Sequence, residues 1–335
     1  MRKPATTIAV AVFSALSAMA QSPEPGRAVT GMPHHETFLH NADLSGWLLD
    51  NEGNRGRDGG GFNSLAHRLY PERGLFRSRM VGLNFEHIFN GSAAYNDIAM
   101  FTPRREPNYL LKQGPQQATL RWPADMSAWG VACSMTYTFS ESDAIDMRFT
   151  AVPLEEKWPH GYLAFMWASY MQRAVDRPIH FWGVEDGGEA RWIRFGAAAD
   201  NVQGFETGTV AFAGEEPLPF DPDAQALNIV EHPAKRFVYP FYYGLLDGDQ
   251  DLTTDGDALA YIVMFDQTAP IRFALWNFIK DDAGNPDPHS PAWDWQYVIR
   301  DPKVGERYGY KMRVVVTPFT TRADILARYR DWAGE

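Results

Sequence analysis

Hydrophobic and polar positions alternate through much of the chain with a period of two rather than 3.6. The clearest case is Val131–Phe139. Val131, Cys133, Met135, Tyr137 and Phe139 share one face there, and Ser134, Thr136 and Thr138 share the other. A polar turn, Ser140-Glu141-Ser142-Asp143, follows, and Ala144–Val152 alternates again through Ile145, Met147, Phe149 and Ala151. Two in-phase runs around a short polar turn predict a β-hairpin. Further strand-length runs are Tyr162–Tyr170, Ile179–Val184, Arg191–Phe195, Thr209–Ala213, Phe237–Leu246, Ala258–Asp266, Ile271–Phe278, Trp293–Arg300 and Tyr308–Thr317. Most are rich in aromatic or β-branched residues, which suit a pleated, half-buried surface. Gly and Pro punctuate the intervals. One segment carries a helical period instead. Thr321 can cap it, Asp324 sits three residues on, and Ile325, Leu326, Tyr329 and Trp332 form its apolar face. No repeat of fixed period and no linker divides the chain. The pattern predicts an all-β protein, a large antiparallel β-sandwich or supersandwich (a barrel being the other closure), with a short C-terminal helix and a single domain over residues 38–335.

The N-terminus follows a different rule. Arg2 and Lys3 precede a short apolar run, Ile8 to Leu16, and Ala18-Met19-Ala20 is a small-x-small cleavage site. This is the order of an export signal over residues 1–20, with Gln21 as the new first residue. The run is too short to span a bilayer, which takes about 20 residues. The expected product is secreted or periplasmic, with no membrane association once the signal is removed. Residues 21–37 contain Pro and Gly and are expected to form a flexible leader, in which His34-His35-Glu36 falls.

Composition narrows the function. The single cysteine, Cys133, cannot form an internal disulfide and sits on the apolar face of its run, as a core residue would. The formal net charge is −11, which repels nucleic acid and anionic lipid and leaves no expectation of a nucleic-acid partner. Phe (21), Tyr (14) and Trp (11) are abundant enough both to fill a core and to present flat rings to the apolar faces of sugars. No phosphate loop, dinucleotide fingerprint or Gly-x-Ser-x-Gly elbow is present, which removes kinases, Rossmann dehydrogenases and ordinary α/β-hydrolases.

Gly59-Gly60-Gly61-Phe62-Asn63-Ser64-Leu65 and the turn Tyr70-Pro71-Glu72-Arg73-Gly74 resemble the opening of galactose-mutarotase-like domains. The resemblance implies a β-supersandwich of two large, bent antiparallel sheets and a carbohydrate as substrate class. Proteins of that architecture include sugar epimerases, polysaccharide lyases and accessory domains of glycosidases.

The densest meeting of chemical groups is Asn84-Phe85-Glu86-His87, between the glycines at 59–61 and an Asn90-Gly91 turn. A carboxylate and an imidazole have ordinary pKa values on either side of the working range and suit proton transfer. On a regular strand, Glu86 and His87 point to opposite faces and cannot both enter one cleft unless a bulge or turn intervenes. His87 is therefore expected to transfer protons with a residue far along the chain, with Glu86 behind it and Asn84 as a substrate contact. Tyr242 and Tyr243, in Tyr239-Pro240-Phe241-Tyr242-Tyr243-Gly244, are the proton-transfer partners expected for His87; the other reading of the cluster is a doubly buried central strand. Trp293, Trp295 and Tyr297 share one strand face, as a core wall or a sugar-stacking platform, with Asp294 on the opposite face as an acid/base candidate. Trp276 is a further stacking candidate, His289 an accessible acid/base candidate in a polar loop, and His160 a rim residue. Arg79, Arg104 and Arg105 are available to neutralise a uronate. Asp247, Asp249, Asp251 and Asp255 alternate at oxygen-ligand spacing that would suit Ca²⁺, but positions six and twelve are Leu252 and Ala258, so the loop is not of EF-hand type. The alternative is a solvated turn whose like charges oppose edge pairing. No cofactor is required by this chemistry.

The combined expectation is an exported carbohydrate-active enzyme that cleaves glycosidic bonds in a poly- or oligosaccharide by acid/base catalysis, as a hydrolase or a lyase. The competing expectations are a non-catalytic glycan-binding protein and a sugar epimerase or mutarotase-like enzyme.

Overall fold

A computed structural model describes residues 35–52, 59–77, 80–196, 206–225, 234–248, 257–277, 279–280, 284 and 287–335. The stretch read as an export signal, most of the stretch read as a leader, Arg79, Asp249, Asp251 and Asp255 lie outside them. Strands β1 (Glu36–His40), β2 (Leu44–Leu49) and β3 (Gly61–His67) form a three-stranded antiparallel sheet. The chain continues through β4 (Asn84–Phe89), the helical turn α1 (Thr102–Arg105), β5 (Tyr109–Lys112), β6 (Gln117–Trp122), β7 (Val131–Phe139), β8 (Ala144–Pro153), β9 (Tyr162–Ala168), β10 (Ile179–Glu185), β11 (Arg191–Phe195) and β12 (Glu206–Ala211). It ends through β13 (Lys235–Phe237), β14 (Phe241–Leu246), β15 (Leu259–Phe265), β16 (Ile271–Asn277), β17 (Trp293–Arg300), β18 (Tyr308–Pro318) and helix α2 (Arg322–Ala333).

These strands build an antiparallel sandwich. One sheet runs in the order β11-β10-β14-β15-β18-β8-β7-β6-β5, with β13 also paired to β10, and the facing sheet runs β12-β16-β17-β9-β4. The β7–β8 hairpin has the predicted phase, with Val131, Cys133, Met135, Tyr137 and Phe139 buried. Phe237–Leu246 is not one strand. Pro240, which has no N–H to give a ladder, separates β13 from β14.

The core lies between the two large sheets and is mostly aromatic. Phe85, Phe149, Phe165, Trp167, Trp295, Tyr297 and Tyr310 belong to it. The Trp167 and Trp295 rings, on paired residues of β9 and β17, stack 5.5 Å apart and 2° from parallel. Gly244 on β14 is what lets Trp293 into this layer, because a Cβ there would come within 2.2 Å of the indole ring. Of the two readings of Trp293, Trp295 and Tyr297, the core wall is the one observed, with all three buried in the main cluster. Cys133 is buried in the same core.

The outer face of the larger sheet is covered by α2. Thr321 caps the helix by accepting from the Asp324 amide, Gly334 ends it at φ 75°, and Ile325 and Tyr329 pack against Phe241, Tyr243, Ile262 and Met264. His180 lies in this region, its ring stacked 5.1 Å from that of Tyr243. Burial pushes the imidazole down to about 4, with Arg322 and Arg194 acting in the same direction against Asp176.

Two outcomes are expected. Gly244→Ala should destabilise the protein by about 1–3 kcal/mol, because the buried Trp293 ring has nowhere to move; a denaturant titration reads this, and an unchanged midpoint would show that the two sheets do not meet there. The His180 pKa is depressed on folding, so its contribution is complete above the unfolded value near 6.5 and is lost as pH falls toward about 4. His180→Gln should therefore make the decline of stability through that window shallower by up to about 1.4 kcal/mol per pH unit.

Candidate functional site

The outer face of the five-stranded sheet is unusual because it is both polar and buried. Alternation sends Leu163, Phe165 and Trp167 of β9 and Trp293, Trp295 and Tyr297 of β17 to the core. Asp294 and Gln296 of β17 and Arg272 of β16 face the other way and are still 0–1 % exposed. In register with them on β4 are Asn84, opposite Ala168, and His87, opposite Met166.

The register of β4 decides the chemistry. Phe85 pairs with Trp167 and His87 pairs with Met166, so Glu86 is an extra residue with no partner on β9. This is a β-bulge, which resets the alternation by one position. Phe85 and Ile88 both remain in the core, and Glu86 and His87 come together on the polar side. The expectation that the two side chains oppose each other is corrected by this one inserted residue. The bulge also has a prepared approach. Leu83 takes φ 51°, a costly conformation for a branched residue, while its N–H donates to Ser169 Oγ at 3.0 Å and its carbonyl accepts from Tyr137 at 2.8 Å. Gly59, at φ 141°, lies where a Cβ would touch both the Arg104 side chain and Asn84 Oδ1. The glycine run noted in the sequence is thus a close backbone approach to the site.

The carboxylate of Glu86, 2 % exposed, is met by two donors. Tyr170 OH donates to Oε1 at 2.5 Å, and Arg104 Nη1 donates to the same oxygen at 2.7 Å. Asn84 Nδ2 approaches Oε2 at 3.5 Å. His87 Nε2 lies 3.8 Å from Oε1. The other ring nitrogen, Nδ1, is 2.7 Å from the Met100 carbonyl, which can only accept, so Nδ1 carries the proton and Nε2 presents its lone pair. Burial lowers the His87 pKa against the opposing pull of Glu86, which keeps the ring neutral. Asp294 is 1 % exposed, accepts the Ser169 amide on Oδ1 at 3.0 Å, and has no partner for Oδ2 among the described residues. Burial, followed by the nearby charge of Glu86, raises its pKa well above the ordinary carboxyl value. The Tyr170 phenol is raised by the same two causes. Two carboxyl groups therefore sit in contrasting surroundings, one ion-paired and one shielded. A neutral imidazole with a free lone pair completes an acid/base set.

The structure separates the other candidates. Tyr242 is in the main core, 3.4 Å from the Trp293 carbonyl, and Tyr243 lies on the far side of the larger sheet, accepting from Arg322 Nε at 3.0 Å. Neither reaches the His87 face, because the sandwich core lies between. His289 turns its Nδ1 to the Ala174 carbonyl at 2.8 Å. His160 bonds Asp221 at 2.9 Å. Trp276 is half-buried against Ala168, Tyr170 and Ala292, on the side of the acid/base cluster. Asp247 is buried and accepts from Arg173 at 2.7 Å. Among the described residues no cluster of three or more His, Cys, Asp or Glu is arranged to hold a metal ion. Tyr170 and Ser169 were not singled out by the sequence. Their signal would have been the end of an otherwise apolar strand run, where a Ser-Tyr pair interrupts the pattern.

No family model matches the chain, and no curated protein matches it. Among solved structures the chain is similar to galactose-mutarotase-like proteins, the group that residues 59–74 resemble. One is a candidate aldose 1-epimerase from Escherichia coli K12, at 11% identity and TM-score 0.47 over 85% of this chain and 99% of that one. Another is a galactose mutarotase-like protein from Lactobacillus casei, at 7% and 0.43 over 84% and 99%. The chain is also similar to a heparan sulfate lyase from Pedobacter heparinus, at 10% and 0.38 over 86% of this chain and 37% of that one. All three scores lie under 0.5, and none bears on the chemistry of this site.

The Glu86–Arg104 pair is expected to behave as a buried ion pair. Arg104→Met should destabilise the fold by about 3 kcal/mol, because it strands the carboxylate. Adding Glu86→Gln should recover much of that loss, a coupling that denaturant midpoints of the two single variants and the double variant would read directly. Additive losses would mean that the two side chains do not depend on each other.

Proposed function

We propose that the protein is an exported, carbohydrate-active enzyme that works by acid/base catalysis on the polar face of the five-stranded sheet. The observation that carries the reading is the bulge at Glu86, which puts a neutral His87 beside a carboxylate on the face that also holds a shielded Asp294. In this reading His87 Nε2 accepts a proton, Asp294 donates one, the Met100 carbonyl orients the imidazole through Nδ1, and Glu86, held by Arg104 and Tyr170, stabilises positive charge that develops on the ring. Sugar as substrate class rests on the resemblance of residues 59–74, and export on the order of charged, apolar and small residues in the first twenty.

Cleavage of a glycosidic bond by hydrolysis is the leading reaction. A lyase using tyrosinate as base is disfavoured, since burial and Glu86 push the Tyr170 phenol up rather than down. Interconversion of sugar anomers or epimers is the second reading. It is favoured by the complementary starting states of the two groups, because a lone-pair imidazole and a protonated carboxyl can exchange protons with a hemiacetal hydroxyl and a ring oxygen in one step.

A panel of polysaccharides and free aldoses tests this. Release of reducing ends, absorbance of unsaturated uronates and the rate of optical-rotation change report the three reactions separately. His87→Ala and Asp294→Asn should each lower turnover by a factor of about 10² or more. The rate should fall on the acid side as His87 gains its proton, below the usual imidazole range because burial lowers its pKa. Glycan binding without turnover of any panel member would leave a binding protein in place of the enzyme.

A further inference from the structure

The acid/base groups on the outer face of the five-stranded sheet are closed off from solvent. Asn84, Glu86, His87 and Asp294 are each between 0 and 4 % exposed, and Gln296 and Arg272 on the same face are fully buried. No sugar ring touches such groups unless a covering segment moves. The turn through Met100 and Arg104 lies against His87, but it supplies the Met100 carbonyl to His87 and the guanidinium to Glu86, so lifting it would dismantle the site. Residues 214–225, after β12, form a second cover and lend no side chain to the acid/base cluster. This strap starts beside Ala213, whose N–H donates to the Phe237 carbonyl at 3.0 Å, and then crosses the sheet. Arg300 of β17 donates through Nε to the Glu215 carboxylate at 2.8 Å, and Arg272 of β16 donates to the Glu216 carbonyl at 3.3 Å. Leu218 is buried in one cluster with Phe89, Ala164, Met166 and Val298. Met166 is the register partner of both His87 and Gln296, so the leucine sits in the middle of the polar face. The Asp221 N–H donates to the Gly91 carbonyl, just past β4, at 2.8 Å. Ala224 and Gln225 then line a cavity together with His87.

The strap is held lightly for a segment in so central a place. None of its residues belongs to a strand or helix, and Leu218 is its one buried residue. Pro217, Pro219 and Pro222 remove three N–H groups that a ladder would need and fix three φ angles, so the strap is stiff without being paired. Its main polar tie is Asp221, whose side chain is 36 % exposed. That carboxylate accepts from the Ala93 amide at 2.9 Å and from Ser92 Oγ at 3.1 Å, and it meets His160 Nε2 at 2.9 Å. Farther on, Asn96 donates to the Asp223 carbonyl at 2.8 Å and accepts from the Gln225 amide at 2.9 Å. One buried leucine and a set of ties near solvent mark a segment that opens at lower cost than the sheet beneath it. We propose that residues 214–225 are a lid over the polar face, seated by Leu218 and latched by Asp221, and that His87 becomes accessible when the lid lifts. The inference rests on the reading of the His87 face as catalytic, and it adds to that reading the part of the chain that admits substrate.

Chemical access to His87 tests the lid without a substrate. Diethyl pyrocarbonate acylates neutral imidazole nitrogen, and peptide mass spectrometry of the full chain gives the initial rate at each histidine. Leu218→Ala removes the seat and Asp221→Ala removes the latch. Each should raise the initial rate at His87 at least about tenfold, because that rate follows the population of the open form. His67 and His180, 2 % and 8 % exposed and remote from the strap, serve as internal references and should keep their rates. Glu216→Ala changes a side chain on the same segment that is exposed, and should leave His87 as slow as in the unaltered protein. Hydrogen exchange should quicken in parallel at the amides of Ala93, Asp221 and Gln225, with β9 and β17 unchanged. A His87 rate that neither substitution moves would overturn the proposal. A rise shared equally by His67 and His180 would overturn it too, since the strap would then be holding the whole fold. Gated access to His87 with no turnover of any glycan would remove the enzymatic reading and leave the lid standing. Turnover with ungated access would do the reverse.

Discussion

A carboxylate buried inside a β-sheet must be matched by a positive charge and by donors, because the cost of desolvating it alone amounts to several kcal/mol. Glu86 is such a carboxylate. Arg104 reaches it from the turn that follows β4, and Tyr170 from the end of β9, so three separate segments converge on one oxygen atom. Much of the surrounding construction serves that convergence. Leu83 accepts a strained backbone to start the strand, Gly59 makes room for the guanidinium, and Ser169 ties Leu83 on one side and Asp294 on the other.

The same interaction sets the electrostatics of the neighbours. The charge of Glu86 lies close enough to raise Asp294 and Tyr170 further than burial alone and to oppose the lowering of His87. The Glu86 carboxylate thus helps hold Asp294 in its protonated state, while burial holds His87, on the same face of the sheet, without its proton. That is the arrangement in which proton transfer in both directions can proceed near neutral pH. The aromatic core beneath serves the site differently. The Trp167–Trp295 stack and the ring of Phe85 brace β4, β9 and β17 from below, so the polar residues on their other faces keep their spacing.

Legibility in the sequence followed the physics of each feature. The β7–β8 hairpin and the capped helix α2 were readable because local alternation, turn chemistry and capping all agree there. The break at Pro240 was readable in principle, since proline cannot donate to a ladder, but four neighbouring aromatics gave the stretch the look of a single strand. Trp293, Trp295 and Tyr297 showed their shared face and not their surroundings, because a core wall and a sugar platform need the same side chains. Of the partners expected for His87, Tyr242 lies within the core and Tyr243 beyond it. No local pattern states which sheet a strand joins.

From residue order alone came the antiparallel all-β class, the C-terminal helix, the buried role of Cys133 and the pairing of chemical types at Glu86 and His87. These depend on periodicity and composition, which act over a few residues. Tertiary structure decided the rest. A single unpaired position in the β4 ladder turned His87 to the same side as Glu86, and that position exists only relative to β9, about eighty residues on in the chain. The identity of the counter-ion and the shielding of Asp294 likewise depend on which distant segments cover the sheet, since desolvation is a property of surroundings and not of the residue that bears it.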